Sequence, residues 1–287
     1  MNSTIASSLA GRVALITGAN TGIGLVTARE LAQRGAHVFV ACRSQEKGRA
    51  AVNEIRAATS GAQVELLPLD LGDFDSVRRC AAAFLARDLP LHLLINNAGL
   101  AGARGLTASG FELAFGTNHM GHFLLTQLLL DRIKASAPAR IVTVSSRAHT
   151  RVPGIDFEVL REPTKTRTGF PEYGVSKLAN LLFSAELGRR LAGTGVNTYA
   201  LHPGVVATDV WREVPWLLRP LIKLWMISTE EGAQTTIHCA TSEAVVGETG
   251  LYYDKCRPIA PSRAGRDAGL AAELWQRSEA WLAAVGE

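Results

Sequence analysis

Short apolar runs alternate with longer amphipathic stretches along most of this chain. Seven runs have the length and the aliphatic content of buried strands, at residues 12–17, 37–41, 64–69, 91–95, 140–144, 197–201 and 250–253. Between and after them, apolar residues recur at helical spacing over residues 25–34, 45–58, 76–87, 110–135, 173–190, 230–241 and 266–284. This alternation predicts a parallel sheet that is covered by helices on both faces.

The composition fits this pattern. Hydrophobic residues make up 47% of the 287 residues and charged residues 20%, which is typical of a globular protein rather than a disordered one. No repeat, low-complexity tract or linker divides the chain. We therefore predict a single α/β domain over residues 1–287, a doubly wound parallel sheet of about seven strands in the Rossmann arrangement.

The first strand runs directly into a glycine-rich turn, Gly18-Ala-Asn-Thr-Gly22-Ile-Gly24, and a helix follows. Glycines let the backbone approach phosphates closely, and a helix N-terminus offers unpaired N–H donors and the positive end of its dipole. A lone glycine cluster is a weak signal, but its place between a strand and a helix strengthens it. The turn is predicted to bind the pyrophosphate of a dinucleotide.

The end of the second strand predicts which dinucleotide binds. An acidic residue at this position would bind the adenosine ribose hydroxyls and repel a 2′-phosphate. The strand ends instead in Cys42-Arg43, and the planar guanidinium of arginine matches phosphate oxygens. This favours NADP over NAD, the alternative being that Arg43 simply begins a surface loop.

Other strand ends carry further candidates, because ligands of open parallel sheets bind beyond the carboxyl ends of the strands. These candidates are Asp70, Leu71, Asn97, Ala98, Gly99, Ser145, Ser146, Pro203 and Gly204. Asn118 lies within an otherwise apolar predicted helix, where a polar residue needs a partner or a function.

Tyr173 and Lys177 bring together a phenol and an ammonium. On a helix their spacing places both side chains on one face, one turn apart. A nearby positive charge favours the phenolate, so the pKa of the tyrosine is expected to fall from its usual value of about 10 toward neutrality. Such a pair also occurs on many solvated helices, and its meaning depends on the cofactor turn and the strand ends.

Two segments between the regular elements have more than one interpretation. Residues 147–170 contain prolines, glycines and several basic residues, and we expect a solvated surface loop, or else one wall of a substrate mouth. Residues 214–227 (VPWLLRPLIKLWMI) fit a core helix, a flexible lid or a peripheral membrane contact. Pro215 and Pro220 argue against one long regular helix there. We place a substrate loop or lid at about residues 205–228.

Charge, cysteines and histidines argue against a nucleic-acid partner, disulfide bonds and a metal site. The net charge is +4, but no dense basic run is present, so no nucleic-acid partner is predicted. The four cysteines form no CxxC pair and indicate free thiols in a reducing compartment. His119 and His122 lack a third ligand nearby in sequence, so we predict no metal site. The absence of a secretory signal and of an apolar run of about 20 residues predicts a cytoplasmic protein without a transmembrane segment.

In their order these motifs resemble those of the short-chain dehydrogenase/reductase family, from Gly11 to about Tyr253. The family's TGxxxGxG turn is similar to residues 17–24, its adenine-side Asp to Asp70 and its NNAG strand end to residues 96–99; its YxxxK pair is similar to residues 173–177 and its PG turn to residues 203–204. Several longer stretches, including ITGANTGIG, NHMGHF, SKLAN and YYDKC, are similar to the sequences of the retinol-dehydrogenase-like subset. Some members of that subset begin with an apolar anchor, and the small, polar residues 1–11 predict that this chain lacks one.

The resemblance implies a role for each site residue. Tyr173 would exchange a proton with the reacting oxygen, and Lys177 would bind the nicotinamide ribose and keep the tyrosine acidic. Ser146, rather than Ser145, would hydrogen-bond the reacting oxygen, and Asn118 would hold a water that links Lys177 to solvent. The expected cofactor contacts are Gly18, Asn20, Thr21, Gly22, Ile23, Gly24, Arg43, Asp70, Leu71, Asn97, Ala98, Gly99, Tyr173, Lys177, Pro203, Gly204, Val205 and Thr208.

We therefore expect an NADP(H)-dependent oxidoreductase, with NADPH preferred over NADH, that interconverts a lipophilic alcohol and its aldehyde or ketone. The alternative is a non-catalytic NADP(H)-binding regulatory protein that reuses the fold. A sugar-nucleotide epimerase and a membrane-surface protein that uses residues 214–227 are further rivals. The resemblance leaves a homodimer or homotetramer open, since family members often pair through the two long helices that contain Asn118 and Tyr173.

Overall fold

The computed structural model describes residues 8–204 and 227–285, and its strands form one sheet in the order β3-β2-β1-β4-β5-β6-β7-β8. These strands are β1 (Val13–Thr17), β2 (His37–Cys42), β3 (Val64–Pro68), β4 (Leu93–Asn96), β5 (Ala139–Val144), β6 (Val196–His202), β7 (Leu251–Asp254) and β8 (Arg257–Pro258). Strands β1 to β7 pair in parallel, and β8 pairs antiparallel with β7. The predicted doubly wound sheet is confirmed, and β8 is an addition that the sequence did not predict.

Helices cover both faces of the sheet. The described helices are α1 (Gly22–Gln33), α2 (Gln45–Ala58), α3 (Phe74–Leu85), α4 (Leu113–Phe115), α5 (Gly121–Ala135), α6 (Phe170–Arg190), α7 (Thr229–Thr241) and α8 (Ala268–Val285). Helices α3, α5, α6 and α8 share one hydrophobic core with the sheet, and α1, α2 and α7 share the other. All five residues of β1 are buried, as expected for a central parallel strand that is covered on both sides.

The long helix predicted over residues 110–135 begins only at Leu113. Gly110 has a φ of +77°, and Leu106 and Glu112 form an isolated antiparallel bridge, so the chain turns back before the helix starts. The side chain of Glu112 accepts the N–H of Phe115 and caps the first turn. A π-helical turn, Gly116–Met120, joins α4 to α5. The sequence did not predict it, because one wide turn hardly changes the apolar periodicity of a helix.

The segment 147–170, predicted as a solvated loop, is partly buried. It contains two 3-10 turns, Arg147–Arg151 and Phe157–Val159. Phe157 and Leu160 pack into the core beside α8, and the hydroxyl of Thr164 donates to the carboxylate of Glu112. The expectation was wrong for these residues because their spacing follows neither a helical nor a strand period.

The predicted lid at about residues 205–228 and the apolar segment 214–227 lie almost entirely outside the described residues. Among residues 8–204 and 227–285, no helix combines the length and the apolar character needed to cross a bilayer.

Candidate active site

The glycine-rich turn connects β1 to the N-terminus of α1. Gly18 and Gly22 have φ values of +67° and +56°, in the left-handed region that favours glycine. A Cβ at Gly24 would lie 2.5 Å from the carbonyl oxygen of Gly18, so a side chain there would force the turn apart. The N-cap residue, Thr21, makes no side-chain capping bond, and the first turn of α1 holds no acidic residue. The N–H groups and the positive dipole end at this terminus therefore fit a pyrophosphate.

Thr17 ties this turn to the end of β4. Its hydroxyl oxygen accepts the N–H groups of Asn97 and Ala98, each at 2.9 Å. Its carbonyl oxygen accepts the side-chain amide of Asn97 at 2.8 Å. The predicted cofactor residues that follow β4 are thus fixed directly to the strand that leads into the glycine-rich turn.

Arg43 and Asp70 meet where β2 and β3 end. The side chain of Arg43 is 76% exposed, and its Nη1 lies 3.9 Å from Oδ2 of Asp70. That distance describes a loose ion pair rather than a hydrogen bond. The other carboxylate oxygen of Asp70 accepts the N–H of Gly72 at 2.9 Å. An exposed guanidinium with only a long contact to this carboxylate is able to turn toward a phosphate group.

Helix α6 holds Tyr173 and Lys177 one turn apart, as predicted. Lys177 is 3% exposed, and its Nζ donates to the carbonyl oxygen of Val144 at 2.9 Å. The same carbonyl accepts the side-chain amide of Asn180 at 3.1 Å. Nζ of Lys177 lies 5.7 Å from the centroid of the Tyr173 ring. The ammonium therefore sits beside the phenol, at the carboxyl end of β5.

The two serines that follow β5 have different partners. Ser145 is buried, and its hydroxyl donates to the carbonyl oxygen of Lys177 at 2.6 Å, which fixes the strand to α6. Ser146 is half-buried, and its side chain lies near the phenol of Tyr173 and lowers the pKa of that phenol. The side chain of Ser145 is used in the contact with α6, and the catalytic role expected of Ser146 stays a prediction.

Asn118 lies in the π-helical turn and is fully buried. Its Oδ1 accepts the N–H of Leu100 at 2.9 Å, while its Nδ2 donates to Leu100 O at 3.0 Å and to Ser176 Oγ at 2.9 Å. A Cβ at Gly99 would lie 3.2 Å from Lys177 Nζ and 3.4 Å from Asn118 Oδ1, so both polar groups border the same small space. The amide protons of Asn118 are used in direct bonds, and the water expected between Asn118 and Lys177 stays a prediction.

The pKa of Tyr173 shifts in the opposite direction to the expectation from its sequence neighbour. Burial raises this pKa, and the nearby side chain of Ser146 offsets only part of the rise. Burial also lowers the pKa of Lys177 to about 7, so the side chain loses much of its charge near neutrality. The phenol consequently stays protonated at neutral pH, which is the form that donates a proton to a carbonyl oxygen.

The remaining predicted cofactor residues divide into three groups. Asn20, Thr21 and Ile23 are at least partly exposed in the glycine-rich turn, and Pro203-Gly204 follows the carboxyl end of β6. Leu71 is buried in the core, so its side chain is part of the packing. Val205 and Thr208 lie outside the described residues.

His122 and Ser176 also contact residues of the site, although no role in it was predicted for them. Nε2 of His122 lies 2.8 Å from Oγ1 of Thr17, and its Nδ1 lies 2.8 Å from the carbonyl oxygen of Asn118. The hydroxyl of Ser176 donates to the carbonyl oxygen of Tyr173 at 2.8 Å. Only their places within the NHMGHF and YGVSK stretches could have indicated them.

The buried histidines are uncharged, and the cysteines form no disulfide bonds. Burial lowers the pKa of His119 to about 3 and that of His122 to about 4, so neither carries a charge near neutrality. The described part of the chain holds no group of three His, Cys, Asp or Glu suited to a metal ion. All four cysteines are free thiols, and three of them are buried.

Comparison with known proteins identifies the family. The family model for short chain dehydrogenases matches residues 12–159. Retinol dehydrogenase 12 of Mus musculus is 49% identical over 271 residues, which cover 93% of this chain and 85% of that protein. The chain belongs to the short-chain dehydrogenase family. It falls within the retinol-dehydrogenase-like subset of that family, as its finer motifs predicted.

Solved structures agree with this membership of the dehydrogenase family. The crystal structure of an uncharacterized protein from Mycobacterium paratuberculosis is 39% identical, covers 96% of this chain and 95% of its own, and superimposes with a TM-score of 0.77. The NADP active-site complex of RhlG from Pseudomonas aeruginosa is 26% identical, with coverage of 92% and 98% and a TM-score of 0.69. The dehydrogenase is therefore an oxidoreductase of a fold that binds a nicotinamide cofactor.

Proposed function

We propose that this dehydrogenase depends on NADP(H) and interconverts a lipophilic alcohol and its aldehyde or ketone, with Tyr173 as the acid/base. The Ser146 side chain near the Tyr173 phenol, beside the buried Lys177, carries this proposal. It lies beyond the carboxyl end of β5, on the edge of the sheet where the glycine-rich turn also opens. Ligands of such sheets bind at this edge.

Each side chain has a defined task in the proposed reaction. The nicotinamide cofactor supplies or accepts the hydride when it is bound. The phenol of Tyr173 donates a proton to the carbonyl oxygen during reduction and takes the hydroxyl proton during oxidation. The hydroxyl of Ser146 holds the same oxygen. Lys177 binds the ribose hydroxyls, and its protonated form stabilises the phenolate that proton donation leaves behind. Asn118 holds α6 in place through Ser176.

The preference for NADPH is supported by Arg43. Its exposed guanidinium stands at the end of β2, where NAD-binding folds carry an acid, and it is held only loosely by Asp70. A structural neighbour is named as an NADP complex, which is compatible with this choice. The lipophilic substrate is supported by the relatives named retinol dehydrogenase and by the apolar segment 214–227. We further propose that residues 205–228 close over the substrate, that Val205 and Thr208 contact the cofactor, and that the protein is cytoplasmic.

The test is a turnover assay that follows NADPH or NADH oxidation with retinal, aliphatic aldehydes, ketones and quinones. We expect turnover of lipophilic carbonyl compounds with a higher kcat/KM for NADPH. Tyr173→Phe should lower kcat by about 10²–10⁴-fold and leave NADPH binding nearly intact. Tyr199→Phe is the matched control, because the Tyr199 hydroxyl donates to Val245 O in the other core of the sheet.

Each component of the proposal has its own contradicting result. Full activity of Tyr173→Phe would remove the acid/base role from that residue. A higher kcat/KM with NADH would overturn the assignment of Arg43. Tight NADPH binding without turnover of any carbonyl compound would favour the non-catalytic alternative, for which the complete set of Asn118, Ser146, Tyr173 and Lys177 gives no support.

A further inference from the structure

His122 occupies a position between the two halves of the site. It lies in the first turn of α5, 1% exposed, and its ring reaches back to the end of β1. Nδ1 lies 2.8 Å from the backbone carbonyl of Asn118, and Nε2 lies 2.8 Å from the hydroxyl of Thr17. The two contacts join residues that are about a hundred positions apart in sequence, one in the cofactor turn and one in the acid/base machinery.

The hydrogen-bond partners determine the tautomer of this ring. A carbonyl oxygen only accepts, so Nδ1 of His122 must carry the proton that it shares with Asn118 O. Burial lowers the pKa of His122 to about 4, with a smaller contribution from the nearby Lys177, so the ring is neutral and Nε2 is an acceptor. The hydroxyl of Thr17 then donates to Nε2.

Thr17 is well placed to donate. Its oxygen already accepts the N–H groups of Asn97 and Ala98, so its one proton is left for an acceptor. The other acceptor within reach, the carbonyl oxygen of Ile95, lies at 3.4 Å, further than the imidazole nitrogen at 2.8 Å. Every hydrogen bond from Asn97 and Ala98 through Thr17 and His122 to Asn118 therefore pairs one donor with one acceptor. We call this series the His122 connection.

The connection continues into α6. Asn118 donates to Ser176, and Ser176 donates to the carbonyl oxygen of Tyr173. The backbone of Asn97 and Ala98, which follow β4 beside the predicted nicotinamide site, is thus joined to α6 through the hydrogen bonds of Thr17, His122, Asn118 and Ser176. Asn118 belongs to a π-helical turn, a rare geometry that is frequent at functional sites.

We propose that His122, as a neutral Nδ1–H imidazole, is a positioning residue that sets the distance between the cofactor turn and the Asn118–Tyr173 machinery. This rests on the proposed function for its effect on turnover, but its effects on cofactor binding and on the tautomer can be measured without turnover. His122 itself touches neither substrate nor cofactor in the proposed reaction.

Removing the His122 connection should weaken NADPH binding and slow turnover together. His122→Phe keeps a ring of similar size without either hydrogen bond, and Thr17→Val removes the hydroxyl from the other end. We expect each to raise the NADPH Kd by about tenfold and to lower kcat/KM by about 10²-fold, because a small misplacement of reacting groups is costly. Thr17→Ser, which retains the hydroxyl, should recover most of the NADPH affinity that Thr17→Val loses. The effects of the double variant should be less than additive, since both single variants remove the same Thr17–His122 hydrogen bond.

His119→Phe is the matched control. His119 is equally buried and lies three residues away, but its ring packs among Phe115, Phe123 and Phe183, and its Nε2 contacts Ser278. It should change the melting temperature without changing the NADPH Kd, which is measured by quenching of protein fluorescence. If both histidine variants weaken NADPH binding equally, or if the Thr17 and His122 effects are additive, His122 is only a core residue and the proposal is overturned.

A spectroscopic measurement tests the tautomer directly. In ¹⁵N-histidine spectra the resonances that disappear in His122→Phe should show a protonated Nδ1 and a bare Nε2 at neutral pH. A protonated Nε2 would contradict the hydrogen-bond assignment and overturn the proposal. If the wild type binds NADPH but turns over no carbonyl compound, the proposed function fails, while the Kd values and the tautomer still decide the role of His122.

Discussion

Replacing Lys177 by methionine should stabilise the folded protein at neutral and acidic pH while it abolishes turnover. Lys177 is buried, and its Nζ is held by a backbone carbonyl rather than by a carboxylate. Burial lowers its pKa from 10.5 to about 7. A group that prefers to be neutral in the folded state opposes folding wherever the unfolded chain binds its proton.

The magnitude follows from the two pKa values. Their difference of about 3.5 corresponds to about 5 kcal/mol as an upper bound, from which the lost hydrogen bond to Val144 O subtracts about 1 kcal/mol. Below pH 7 both states bind the proton and the full cost is present. Between pH 7 and pH 10.5 only the unfolded chain binds it, so stability rises with pH and the cost disappears near pH 10.5.

The assay is thermal unfolding of wild type and Lys177→Met at pH 6, 8 and 10, without added nucleotide. We expect the variant to melt roughly 5–10 °C higher at pH 6 and almost equally at pH 10. Lys134→Met, on the exposed side of α5, should show no such pH dependence. A variant that melts at or below the wild-type temperature at pH 6 would refute the view that Lys177 is buried at a net cost.

Three further predictions concern single contacts. Ser146→Ala should lower kcat by at least about tenfold, because the reacting oxygen of the substrate loses one of its two hydrogen bonds. Ser145→Ala should mainly lower the melting temperature, because it removes the bond to the carbonyl oxygen of Lys177. Steady-state kinetics measures the first effect and calorimetry the second. Arg43→Ala should raise KM for NADPH by about tenfold and leave KM for NADH nearly unchanged, and equal effects on both nucleotides would contradict the phosphate contact. Gly24→Ala should abolish NADPH binding in a titration, because its methyl group would meet Gly18 O, while Gly247→Ala, with open space around it, serves as control.

Local signals made most of the fold predictable. Helix α2 has the predicted bounds because Ser44 caps it by accepting the N–H of Lys47, and its apolar face is regular. The start of α4 was placed too early because Gly110 has a positive φ and Glu112 forms a bridge with Leu106, and neither feature follows from a local sequence pattern. The partial burial of residues 157–164 depends likewise on partners far away in sequence, such as Glu112.

The sequence allowed us to predict the spacing of the site residues but not their burial or their hydrogen-bond partners. Motif spacing indicated that Tyr173 and Lys177 share a helical face, which the structure confirms. It could not show that burial raises the pKa of Tyr173, because burial is a property of the assembled layers. Nor could it show that Ser145 bonds to the backbone of α6, at Lys177 O, whereas Ser146 lies near the side chain of Tyr173.

The two edges of the sheet restrict how copies of this chain can meet. The described sheet is bordered by β3, which ends in Pro68, and by the two-residue β8, which contains Pro258. Proline has no N–H to offer an incoming strand, and a short border strand gives little length for pairing. A sheet protected in this way resists both continuous strand addition between molecules and fibril-like aggregation. Of the surfaces formed by residues 8–204 and 227–285, the helical faces are therefore the ones through which we expect a symmetric assembly to form.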